Sequence, residues 1–142
     1  MNGLQVLLAA LLSGAALAGP YDAAFSEVQR MLNPAVQKDE ASLDAAQQRL
    51  DRIPKPAHRN VKDARVLNQQ GLEALKRSDY AAAATAFQKA QEADPADIEV
   101  AGNLGYAYLK QGQFKRAEHQ LVYALTLAPA RSSSWFNLGQ VY

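Results

Sequence analysis

The chain has 142 residues, no cysteine and a formal charge of +1, which leaves room for one domain and supplies no global field toward nucleic acid. Without cysteine there can be no disulfide framework, thiolate zinc site, cysteine nucleophile or lipid-modified cysteine. Leucine, alanine and glutamine dominate and β-branched residues are few, a balance that favours helices throughout.

Residues 4–18 carry no charge, are almost wholly apolar and end in Ala16-Leu17-Ala18, a small-x-small pattern suited to signal-peptide cleavage. The run is shorter than the roughly 20 residues of a membrane span. Residues 1–18 therefore read as a signal peptide cleaved after Ala18, giving a periplasmic or secreted chain. The alternative is an uncleaved segment that anchors the chain at a membrane. Next, Phe25, Val28 and Leu32 form a helical stripe over residues 22–32 behind Asp22 as a cap. Asn33-Pro34 ends that helix. A second helix begins near Asp39, places Leu43, Ala46, Leu50 and Ile53 on one face, and stops at Pro54-Lys55-Pro56. Residues 19–63 thus form a helical hairpin or cap and a Pro-containing linker. They read as a degenerate first unit or an N-terminal cap, with the cap preferred because the small residues of the later units do not align with them.

Between Arg49 and Arg65 the cations Arg49, Arg52, Lys55, Arg59, Lys62 and Arg65 outnumber Asp51 and Asp63. A solvated face explains them; contact with an anionic partner or lipid surface is the alternative. Aromatics are not interleaved with these residues, so no nucleic acid is expected as a partner.

From residue 64 the chain keeps time. Gly71, Gly105 and Gly139 stand 34 residues apart, and so do Pro95 and Pro129, a period that marks stacked supersecondary units. The first unit is 64–97: helix A carries Leu67, Gly71 and Ala74, and helix B carries Tyr80, Ala83, Phe87 and Ala90. The second is 98–131: Leu104, Gly105 and Tyr108 on helix A, then Phe114, Ala117, Leu121 and Ala124 on helix B. Ser78-Asp79 and Gly112-Gln113 form the turns between them. The third, 132–142, holds a helix A only. Gly71 and Gly105 lie mid-helix, where glycine costs about 0.5–1 kcal/mol relative to alanine, so their recurrence implies that a side chain there would strike the neighbouring helix. Trp135, Phe136, Leu138, Val141 and Tyr142 have no second helix of their own unit to cover them, which predicts a sticky terminal face.

Little in the sequence resembles catalytic chemistry. His58 and His119 lack ligand spacing, and Ser132-Ser133-Ser134 lacks a nucleophile elbow. Gly102-x-x-Gly105 lies inside a helix and is no phosphate loop. Asp39, Glu40, Asp94 and Asp97 read as helix-start acids. The chain is expected to be no enzyme, with no metal, no cofactor and no small-molecule substrate.

The last unit, Trp135-x2-Leu138-Gly139-x2-Tyr142, together with the 34-residue period, resembles the tetratricopeptide repeat family over residues 64–142. That resemblance implies an all-α fold, antiparallel helical hairpins stacked as a right-handed superhelix (an α-solenoid), with the array cut short in its third repeat. It implies an exported scaffold, of a kind common in assembly of bacterial envelope or secretion complexes, whose helices A line a concave groove for a protein or peptide partner. The groove candidates are Arg65, Asn68, Gln69, Leu72 and Lys76, then Glu99, Asn103, Tyr106, Leu109 and Lys110, then Phe136, Asn137 and Gln140. Asn103 and Asn137 occupy the place where the family's asparagine holds a peptide backbone, since an amide both donates and accepts. The family's basic clamp for acidic C-terminal tails is missing: Ser133 and Asn137 stand where cations would be needed, and Leu72 where an amide would be. Two alternatives stay open, a regulatory or targeting arm of a longer enzyme, and a homo-oligomer formed through the terminal face.

Overall fold

The computed structural model describes residues 20–142, and among these there are eight helices and no strand. The signal-peptide expectation for residues 1–18 lies outside the described residues. The helices are α1 (Pro20–Leu32), α2 (Pro34–Gln37), α3 (Glu40–Asp51), α4 (Val61–Lys76), α5 (Tyr80–Ala93), α6 (Ile98–Lys110), α7 (Phe114–Leu127) and α8 (Ser132–Gly139). Within that stretch no helix is long and apolar enough to cross a membrane.

Helices α4 to α8 form the array, each packed on the next as in a tetratricopeptide repeat. Their boundaries follow from local chemistry. Asp79 caps α5 by accepting from the Ala82 N–H at 3.1 Å, and Asp97 caps α6 by accepting from Glu99 and Val100. The α4–α5 and α6–α7 turns are copies of each other. Ser78 and Gly112, 34 positions apart, both adopt left-handed backbone, with φ of 57° and 69°. In each turn the following N–H reaches back to close the helix, Asp79 to the Ala74 carbonyl and Gln113 to that of Tyr108, both at 2.9 Å.

The glycine expectation holds at Gly71 and Gly105. A Cβ added at Gly71 would lie 2.3 Å from the Phe87 ring, and one at Gly105 would lie 2.7 Å from Leu121. Phe87 and Leu121 are fully buried, flanked by the equally buried alanines 83 and 90, and 117 and 124. Small residues bring the backbones close and one large residue fills the space, giving the dense packing of a protein interior. Polar bonds then tie one repeat to the next: Gln91 Nε2 donates to Gln120 Oε1 at 3.0 Å, and Tyr123 Oη donates to the Pro95 carbonyl at 2.5 Å.

The N-terminal hairpin departs from expectation. Helix α1 starts at Pro20, so Asp22 sits within its first turn and is not its cap. An additional one-turn helix, α2, follows Asn33, whose side chain accepts from the Ala35 N–H at 2.9 Å. The hairpin does not cap the first repeat; α1 and α3 pack on α7, at the other end of the array. Tyr21 stacks on His119 with ring centroids 4.3 Å apart, Gln29 donates to the Tyr142 hydroxyl at 2.8 Å, and Met31, Leu32 and Leu43 face Trp135. The physical reason lies in the two ends. The outer face of α4 presents Lys62, Asp63, Arg65, Gln69 and Gln70 to solvent around a single exposed Val66, a mostly polar surface suited to the end of an array. The other end offers Val122, Leu125 and Leu138, and burying these with Ala24, Val28, Ala46 and Leu50 makes one continuous core. The terminal face is thus largely covered, although Phe136 and Tyr142 stay 70% and 62% exposed.

Candidate peptide-binding groove

The groove candidates sit on α4, α6 and α8. The structure brings two of them into contact: Asn103 Nδ2 donates to Asn68 Oδ1 at 3.0 Å, joining the helices A of the first two repeats. Both amides are half-buried. The bridge engages one N–H of Asn103 and one lone pair of Asn68, so Asn103 Oδ1 and the Asn68 amide N–H groups retain capacity for a further partner. Tyr106 and Asn137 are half-buried, and Gln140 is exposed.

The groove cations are partly engaged. Lys76 pairs with Glu73 at 2.9 Å, a solvated ion pair of small energetic weight. Its partner's carboxyl is held below the usual range, chiefly by the Lys76 hydrogen bond and charge. Lys110 lies 5.6 Å from the Tyr80 ring centroid, within reach of the ring's quadrupole. Arg65, Gln69, Glu99 and Phe136 are exposed. Leu72 is half-buried and packs on the core. One candidate is corrected: Leu109 belongs to the core, turned between helices instead of toward the groove.

The charged linker is organised by a residue whose role the sequence did not disclose. Asp94, read as a helix-start acid, is 1% exposed. Its carboxylate meets His58 Nδ1 at 2.7 Å and accepts from the backbone N–H groups of Ala96 at 3.2 Å and Arg59 at 3.3 Å. Asp97 alone caps the next helix. Burial pushes the Asp94 carboxyl up, but the His58, Ala96 and Arg59 hydrogen bonds outweigh it and leave the group below its ordinary value. Arg59 also donates to the Glu92 carbonyl, Arg49 to Glu27, and Lys55 to Asp51. Half of the cation cluster is thereby engaged within the chain. The signal for this clasp was an acid directly before Pro95 in the first repeat, where the second repeat has Ala128 before Pro129.

Among the described residues no group of three or more His, Asp or Glu side chains is placed to hold a metal. The candidate positions on α4, α6 and α8 carry amides, aromatics and dispersed charges.

A family model described as Tetratricopeptide repeat matches residues 74–142. The structure is also similar to the solved first TPR of Spaghetti (RPAP3) bound to HSP90 peptide SRMEEVD, with a TM-score of 0.58 and 24% identity, covering 61% of this chain and 68% of that one. At that identity the likeness speaks for the fold. Residues 74–142 therefore match the tetratricopeptide repeat family, and they do so on helices packed as in that repeat.

Proposed function

We propose that the chain is a non-catalytic scaffold that holds a peptide or protein segment against the helix-A face. The Asn68–Asn103 bridge carries this reading. It fixes two amides relative to each other before any partner arrives, which lowers the entropy lost on binding, and leaves an acceptor on Asn103 and donors on Asn68. An extended main chain presents the matching N–H and C=O groups. Asn68, Leu72, Lys76, Asn103, Tyr106, Lys110, Asn137 and Gln140 form the proposed contact surface.

The Spaghetti domain is recorded with an HSP90 peptide of acidic end. In this chain Ser133 and Asn137 stand where a clamp would place cations, and Lys76 is paired with Glu73. The segment held here is therefore read through its backbone and apolar side chains, without dependence on a terminal carboxylate. The apolar run at residues 4–18 supports placing this activity in the periplasm or outside the cell, in assembly of an envelope or secretion complex.

Affinity capture from the native envelope, followed by titration of the captured partner, tests the groove. Asn103→Ala and Tyr106→Ala, each shown folded by circular dichroism, should weaken binding roughly tenfold, equivalent to about 1.4 kcal/mol. Full binding by both variants would remove the groove from consideration.

A further inference from the structure

The seam between successive helices A is built in two ways. Between α4 and α6 it is closed by the Asn68–Asn103 amide bridge. One repeat later, Gly102 stands in the place of Asn68 and Asn137 in that of Asn103, so the α6–α8 seam keeps one amide and lacks the other. Glycine is a poor helix residue, and close packing does not demand it here. A Cβ added at Gly102 would lie 3.8 Å from Ser134 Oγ and 3.8 Å from Arg131 Nε, ordinary contact on both sides, whereas one at Gly71 or Gly105 would collide. The missing side chain leaves a notch over the half-buried Gly102. Ser134, 1% exposed, borders it with a hydroxyl that has no hydrogen-bond partner among the described residues. The Asn137 side chain is likewise without one among them. A buried hydroxyl left unpaired carries a desolvation cost that an incoming polar group removes.

We infer that the Gly102 notch is a subsite of the groove for one asparagine side chain of the bound segment. The inference rests on the groove reading and adds a side-chain preference to it. The occupant's amide takes the place that the Asn68 amide holds one seam earlier. Its carbonyl oxygen accepts from the Asn137 side chain, and its N–H donates to Ser134 Oγ. A neutral amide suits the notch better than a carboxylate. Glu99, one turn earlier on α6, opposes an anion there, and the Nε of Arg131 already donates to Ser133 Oγ at 3.2 Å.

The probe is N-acetyl-asparagine methylamide, titrated into the full chain and followed by the NMR amide signals of Gly102, Ser134 and the Asn137 side chain. Saturable shifts at these residues are expected. The correspondingly capped alanine should bind roughly tenfold more weakly, the effect of two lost hydrogen bonds, and the capped aspartate should also bind more weakly. Gly102→Asn supplies the amide from within the chain and should abolish the shifts; should it not fold, Gly102→Ala, which the contact distances admit, is the blocking variant. Ser134→Ala should weaken the probe about three- to tenfold without lowering the melting temperature, since no internal bond is lost. A lower melting temperature for Ser134→Ala would give the hydroxyl a structural role and overturn the proposal. So would absence of saturable shifts, equal binding of the alanine probe, tighter binding of the aspartate probe, or unchanged binding by the Gly102 variant. The captured partner keeps the two readings apart: weaker binding by Asn103→Ala with full binding by Gly102→Asn leaves the groove standing and removes the notch.

Discussion

Gly71 and Gly139 occupy the same place in their repeats and meet opposite surroundings. At Gly71 a fully buried phenylalanine lies where a Cβ would stand; at Gly139 no atom of the described residues comes within 4 Å of that position. The end of the array beside α4 is mostly polar, with Val66 its one exposed apolar side chain, whereas the end beside α8 is apolar and packs the N-terminal hairpin. A repeated residue therefore reports a repeated opportunity for close packing, and whether it is used depends on the helix that arrives.

Phe87→Ala breaks the comparison most severely. It should cost about 3–5 kcal/mol by loss of transfer energy and creation of a cavity at a fully buried site, measured by urea denaturation. Gly71→Ala should cost about 1–3 kcal/mol because the Phe87 ring must shift, in contrast to Gly139→Ala at the end of α8, which should raise stability by up to about 0.5–1 kcal/mol through helix propensity. Equal effects at the two glycines would mean that the repeats are not packed as described.

Asp94→Ala should cost about 1–3 kcal/mol by orphaning the N–H groups of Arg59 and Ala96. The same group sets a pH dependence. Its folded value lies below the unfolded one, so its contribution is fully present above the ordinary carboxylate range and is lost as pH falls through the lower folded value. Asp94→Asn should flatten that acid limb of a stability–pH curve; a limb of unchanged shape would assign it to other carboxyls.

The smallest effect compares the two turns. Ser78 carries a left-handed penalty of about 1–2 kcal/mol, which glycine relieves at an entropic cost of about 0.5–1 kcal/mol. Ser78→Gly should raise stability by roughly 0.5 kcal/mol and Gly112→Ser should lower it similarly, read from thermal melts. A shift of the same sign for both substitutions would show that the turns are held by different interactions.

Much of the array was legible because its determinants are local or periodic. The Asp79 and Asp97 positions, the turn residues and the glycine–proline period place helices α4 to α8 to within a few residues. The amide bridge was half legible: Asn68 and Asn103 were both candidates, but their meeting depends on how far one helix A stands from the next. Leu109 was misplaced because a helix-face argument cannot tell the edge of a groove from the edge of the core. The Asp94 clasp and the hairpin's destination escaped for one reason, that both join segments with no shared periodicity.

The sequence by itself determined the all-helical character, the 34-residue unit and the small-against-large packing code, since these follow from hydrophobic period and side-chain volume. Only the tertiary structure decided that α1 and α3 lie against α7 instead of α4, and that Gly139, unlike Gly71 and Gly105, meets no other described residue within 4 Å. Burial of apolar surface carries no direction, so the hairpin's destination is settled by which end of the folded array has apolar area left to cover.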